Sequence, residues 1–253
     1  MNNIYMSNFV TQVQVQENEN SNTKNKNKKT EVINPLVKLS FIITNILLLT
    51  TGLITFIEAL RTQNPVLRHL FNIETCISLV AGYFYANFVS KIDEYEKENK
   101  PIDWDSITLS RYIDWAITTP MMLLVLCIFL SMESKTIIHL STLVLIMIFN
   151  YLMLFIGYLG ETKVLDRFTA CIGGFIPFFI IFYLIISNFV IIKKGIKKYW
   201  LLILYLLTWT MYGFVYLLEE NNKNIAFNIL DCISKCLVGI GLWIYYIKII
   251  PKL

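Results

Sequence analysis

Charge is scarce in this chain: Asp, Glu, Lys and Arg make up 16% of 253 residues, against 56% hydrophobic residues and a mean hydropathy of +0.57. A soluble domain carries nearer a quarter charged residues, so an ordinary soluble fold is excluded. Histidine is scarcer still, with only His69 and His139, both near expected helix starts and read as interfacial. The five cysteines (Cys76, Cys127, Cys171, Cys232 and Cys236) all lie in apolar stretches. A disulfide framework or zinc site needs paired loop cysteines or tight ligand clusters. Cys232 and Cys236 are one helical turn apart, but only Asp231 stands near them, and they are read as structural. No nucleophile–base pair, phosphate loop or metal set is found, so an enzyme is not expected. The net charge of +4 is modest and gives no case for nucleic-acid binding.

What the chain has is apolar length. Seven stretches of roughly twenty residues or more, long enough to cross about 30 Å of hydrocarbon as helices, run near 36–60, 68–91, 107–132, 136–159, 164–192, 198–218 and 225–250. The expected fold is all-α, a seven-transmembrane-helix bundle spanning 36–253, in a multi-pass integral membrane protein bathed in lipid. Residues 1–35 differ: "QENENSNTKNKNKKTEVINP" is Asn- and Lys-rich with little apolar content and reads as a disordered polar tail. No apolar core follows a short basic start, so it is not a signal peptide.

Basic residues cluster after spans one, three and five and at the C-terminus (Arg61, Arg68, Lys135, Lys193, Lys194, Lys197, Lys198, Lys248, Lys252), with Glu133 the one acid among them. Acids dominate after spans two, four and six. The positive-inside rule then places the C-terminus in the cytoplasm and the N-terminus outside.

Against this apolar background four charges stand out. Span three holds Arg111 and Asp114 in "RYIDWAITTP", and span seven holds Asp231 and Lys235 in "LDCISKC". Ionised groups at bilayer depth cost a few kcal/mol or more and are usually partnered. Arg111, Asp114 and Thr118 share one helical stripe, and Asp231 and Lys235 share another. Two readings of the lysine stay open: half of a structural ion pair, or an amine able to form a Schiff base. Either gives a balanced quartet. Trp115 adjoins Asp114, and Trp209, Tyr212 and Tyr216 form an aromatic stripe in span six. Indole walls, an internal lysine and two acids suit a long conjugated apolar ligand.

At these residues the chain resembles the microbial (type 1) rhodopsins. "RYIDWAITTP" is similar to their third-helix signature and "LDCISKC" to their attachment motif; "WTMY" (209–212), "LGE" (159–161) and "RF" (167–168) extend the likeness over nearly the whole chain after the tail. The resemblance implies that Lys235 carries all-trans-retinal as a protonated Schiff base. It makes Asp114 the primary counterion and proton acceptor, Asp231 the second counterion, and Arg111 the gate of the outward half-channel. It makes Trp115, Thr118, Thr119, Met122, Trp209, Tyr212 and Tyr216 the pocket, with Thr119 able to bond Asn150. A homo-oligomer is also implied. "RHLFNIETCISLVAGYFY" (68–85) and the Asn/Lys/Ile-rich usage are similar to rhodopsins of large algal viruses.

Three departures bear on function. Val125 stands eleven residues after Asp114, where proton pumps of the family usually carry a carboxylate donor, so reprotonation by that route should be slow. Gly213 replaces a usual helix-six proline, and Cys171 a frequent helix-five tryptophan. Two further acids enter the choice of transport mode. Glu58 is expected to snorkel to the interface, while Glu74, about two turns into span two, is expected to line a polar cavity. With the hydroxyls of spans one and two they outline a hydrated route favouring cations (H+, Na+ or K+). The first expectation is a light-gated cation channel. The alternatives are a light-driven outward proton pump, or a photosensor acting through a separate transducer.

Overall fold

In a computed structural model describing residues 34–190 and 199–246, the chain forms a seven-helix bundle. The helices are α1 (Pro35–Arg61), α2 (Pro65–Lys97), α3 (Trp104–Ser134), α4 (Leu140–Glu161), α5 (Arg167–Phe189), α6 (Trp200–Val215) and α7 (Glu220–Ile244). All seven expected spans are present, with ends moved by a few residues. The polar tail before residue 34, and Lys193, Lys194, Lys197, Lys198, Lys248 and Lys252, lie outside the described residues.

The ends are written locally. Asn34–Pro35 and Asn64–Pro65 start α1 and α2 alike: the asparagine side chain accepts from Leu36 N at 3.0 Å in one and from Val66 N at 2.9 Å in the other. Proline follows where its missing N–H costs nothing. Asp103 and Asp166 cap α3 and α5 through the same kind of bond.

Five helices (α1, α3, α4, α5 and α7) are long and apolar enough to cross a membrane. The other two depart for visible reasons: the apolar part of α2 is diluted by Asn72, Glu74, Ser78 and Asn87, and α6 has only 16 residues. The protein is a multi-pass integral membrane protein. Ile46, Tyr83, Phe155, Phe179 and Leu207 face outward from the bundle, a belt suited to hydrocarbon rather than water. Inside, α3 runs through the centre, and its Arg111, Asp114, Thr118 and Thr119 are buried with its apolar residues.

Close approach of α4 to its neighbours depends on Gly160. A Cβ there would stand 2.1 Å from Tyr216 Oη and 2.5 Å from Ala170 Cβ. Neither can yield freely, because Tyr216 donates to the Gly157 carbonyl at 2.9 Å and Ala170 sits on backbone. Gly160→Ala is therefore expected to destabilise by about 1–3 kcal/mol through overpacking. Thermal unfolding of the detergent-solubilised protein measures this, and an unchanged midpoint contradicts it.

Candidate functional site

The four intramembrane charges meet at mid-bundle. Lys235 Nζ donates to Asp114 Oδ2 at 2.9 Å and lies 3.4 Å from Asp231 Oδ2, while Arg111 Nη1 lies 3.8 Å from that same oxygen. All four side chains are buried. Two cations and two carboxylates balance, as burial demands: removing one member of such a set costs about 3–5 kcal/mol, because a charge is left uncompensated.

Local structure aims each group. Asp231 to Lys235 crosses the start of a π-helical segment, Cys232–Leu237. A π turn widens the helix and frees backbone groups from the regular pattern, a feature frequent at functional sites. Asp231 is held from both sides: Tyr85 Oη donates to Oδ2 at 2.7 Å, and Tyr212 Oη donates to Oδ1 in a very short bond. Asp114 Oδ1 has no hydrogen-bond partner among the described residues. One carboxylate is thus fully engaged, and the other keeps a free oxygen beside the amine.

From Lys235 a largely apolar cavity extends between α3, α4, α5 and α6. Trp115, Thr119, Met122, Trp209, Tyr212 and Tyr216 line it, as do Met153, Gly157, Cys171, Gly174 and Phe178. Thr118 is not among its lining residues; its hydroxyl bonds back to the Asp114 carbonyl at 2.8 Å and braces the α3 backbone. Thr119 bonds back to the Trp115 carbonyl and accepts from Asn150 Nδ2 at 2.9 Å. The cavity has room to spare at Gly174, where a Cβ would meet nothing closer than the Met153 carbonyl at 3.9 Å. An apolar, aromatic-walled slot ending on a buried amine, with an unpartnered carboxylate oxygen at that amine, fits a linear polyene bound through an imine.

This fold and site have known relatives. Residues 35–249 match the family model described as bacteriorhodopsin-like protein. The chain belongs to the microbial rhodopsins. The structure of the viral rhodopsin OLPVRII is similar at 40% identity and a TM-score of 0.77, over 85% of this chain and 99% of that one. Acetabularia rhodopsin I (20% identity, TM-score 0.71, 87% and 97% covered) and the proton-pumping rhodopsin AR2 of the marine alga Acetabularia acetabulum (20%, 0.67, 87% and 99%) share the fold. No curated protein matches the chain. Microbial rhodopsins are light-driven transporters and photoreceptors built on a retinal chromophore, not catalytic enzymes.

The two remaining acids lie toward the other end of α7 in this rhodopsin. Glu58, expected to snorkel, is instead only 6% exposed and accepts from Trp243 Nε1 at 3.1 Å, tying α1 to α7. An indole donor inside the seam holds it better than a stretch toward headgroups would. Glu74 is 1% exposed, and neither of its oxygens has a hydrogen-bond partner among the described residues. A Cβ on Gly239, one turn along α7 from Lys235, would stand 3.4 Å from Glu74 Oε2. Beside it, Thr55 and Thr75 share a hydroxyl–hydroxyl bond of 2.9 Å.

Sequence reasoning missed two sets of residues. Tyr85, Asn224 and Asn228 all bond Arg111. Beyond them, buried Lys223 pairs with Glu161 at 2.8 Å and Glu220 at 2.9 Å, and Arg167 closes that cluster at 3.1 and 3.0 Å. The signal was present in α7: Asn224, Asn228, Asp231 and Lys235, spaced four, three and four, form one polar stripe.

Proposed function

We propose that the chain is a light-driven outward proton pump with retinal on Lys235, its N-terminal end outside and its C-terminal end in the cytoplasm. The observation that carries this reading is Glu74, a buried carboxyl with no cation beside it among the described residues, one turn inward of the attachment lysine. When bound, retinal would supply the light-absorbing chromophore, and its excitation the energy for the Nζ proton to leave.

The chain's own groups supply the rest. Asp114 accepts the proton from Lys235 Nζ, through a contact already 2.9 Å long. Asp231 stays ionised because Tyr85, Tyr212 and Arg111 stabilise its charge, so the proton has one destination. In a site without a cation a carboxyl is accommodated as the neutral acid. Glu74 is therefore a proton store, and it takes the place on α2 that Val125, buried among apolar neighbours, vacates on α3. Thr55 and Thr75 are bonded to each other beside Glu74, and Glu58 lies one turn along α1 from Thr55.

The same geometry weighs against the channel expectation. A channel needs a continuous wet path, and the outer half between α1, α2, α3 and α7 is filled by Phe41, Tyr85 and Phe88 around Arg111. A fixed guanidinium in an aromatic collar repels cations. A sensor role has no specific observation in its favour.

Voltage-clamp photocurrents in retinal-supplemented cells test the reading. A pump predicts outward current over a wide voltage range. A current that reverses with the sodium or potassium gradient would establish a channel instead, and a pigment without current would establish a sensor.

A further inference from the structure

Arg111 is held from several sides. Nη1 donates to Tyr85 Oη at 3.0 Å, and Nη2 donates to the amide oxygens of Asn224 at 3.2 Å and Asn228 at 2.9 Å. Both asparagines are buried. Their orientation is not free, because each amide nitrogen is engaged elsewhere: Asn228 Nδ2 donates to Ser40 Oγ at 2.8 Å, and Asn224 Nδ2 donates to the Glu220 carbonyl at 2.9 Å. Each carbonyl oxygen is left facing the guanidinium.

An amide oxygen accepts a hydrogen bond yet carries no net charge. A carboxylate at either position would hold Arg111 and also neutralise it. With amides, Arg111 is held in place while its full charge remains available to Asp231 at 3.8 Å. The nearby acids do not compete for it, because Glu161 and Glu220 are already paired with Lys223 and Arg167.

We propose that Asn224 and Asn228 are positioning residues, a neutral clamp that pins Arg111 against the Asp114–Asp231 pair and so sets how acid the medium must become before a counterion takes up a proton. The inference rests on retinal attachment at Lys235 and is independent of the direction of transport. The titratable groups facing the carboxylate pair are Tyr85 from α2, Arg111 from α3, Tyr212 from α6, and Lys235 and the Cys232 thiol from α7. Ser40 and Thr44 of α1 bond Asn228 and Phe41 packs on Arg111, none of which titrates, and among the described residues α1, α4 and α5 place no titratable group against the pair.

The test is an acid titration of visible absorption in reconstituted wild type, Asn228→Asp and Asn224→Leu. Protonating the counterion of a cationic chromophore shifts its band to the red, so the midpoint of that shift reads the clamp directly. Asn228→Asp is nearly isosteric, and its new charge absorbs the field of Arg111. The midpoint should move to higher pH by about 1–2 units, the size expected when one close opposite charge is compensated. Asn224→Leu, which loses the longer bond, should move it in the same direction by less. Should Asn228→Asp form no pigment, Asn224→Leu and Asn228→Ser read the same quantity. A purely structural role would lower the unfolding temperature of the retinal-free protein and leave the midpoint where it was, and that result overturns the clamp while leaving Lys235 as the attachment site. A wild type that forms no pigment at all overturns the attachment reading and the clamp with it.

Discussion

Retinal added to the Lys235→Ala protein is expected to yield no visible pigment. Lys235 Nζ is the one amine at the cavity among the described residues, so no other side chain there can form the imine. The substitution has a second effect that has to be separated from the first. It leaves Asp114 and Asp231 facing Arg111 alone, and breaking a buried set of charges costs about 3–5 kcal/mol, enough to unfold a marginal protein. The double variant Lys235→Ala/Asp114→Asn resolves this, because it removes one charge of each sign and restores the balance. It should fold nearly as well as wild type and still show no visible band. A visible band in either variant would mean that the chromophore is held elsewhere or noncovalently.

Glu74→Gln should separate the two halves of the transport cycle. The amide keeps the shape of the side chain, and the Thr55–Thr75 bond beside it does not involve the carboxyl. Transfer from Lys235 to Asp114 lies on the other side of the amine, so the first fast outward charge movement after a flash should survive. Return of a proton to Lys235 should slow by about 100-fold, the lower range for loss of a positioned acid, and steady current should fall in proportion. Flash photolysis with a pH-indicating dye reads both phases. Recovery at the wild-type rate would mean that the proton reaches Lys235 by a path that avoids α2, and Glu74 would then be a buried acid without a part in transport.

The two experiments differ in how far the sequence alone could have suggested them. Lys235, Asp114, Asp231 and Arg111 are legible because a charge in an apolar run is rare, and helical spacing states which charges share a face. The seven spans are legible for a similar reason. Hydrocarbon thickness imposes a minimum run length, and the Asn–Pro starts of α1 and α2 and the aspartate caps of α3 and α5 are local signals. Even the aromatic stripe Trp209, Tyr212 and Tyr216 could be read as a wall, and all three line the cavity.

Glu74 and Glu58 mark the boundary of that method. Both are acids in apolar helices, and their depth is visible in sequence, but their surroundings belong to other helices. Trp243 of α7 draws Glu58 out of its expected interfacial place, and Gly239 leaves the space into which Glu74 points. Nothing within α1 or α2 encodes either contact. Tyr85, Asn224 and Asn228 escaped notice because neutral polar residues in membrane helices are common, and they acquire meaning only once Arg111 is brought between them. By itself, then, the sequence determined the membrane class, the spans and the charged quartet, since those follow from composition and from periodicity along a single helix. The tertiary structure alone decided which carboxyl stands one turn inward of Lys235 and what holds Arg111, because both depend on the register between helices far apart in the chain.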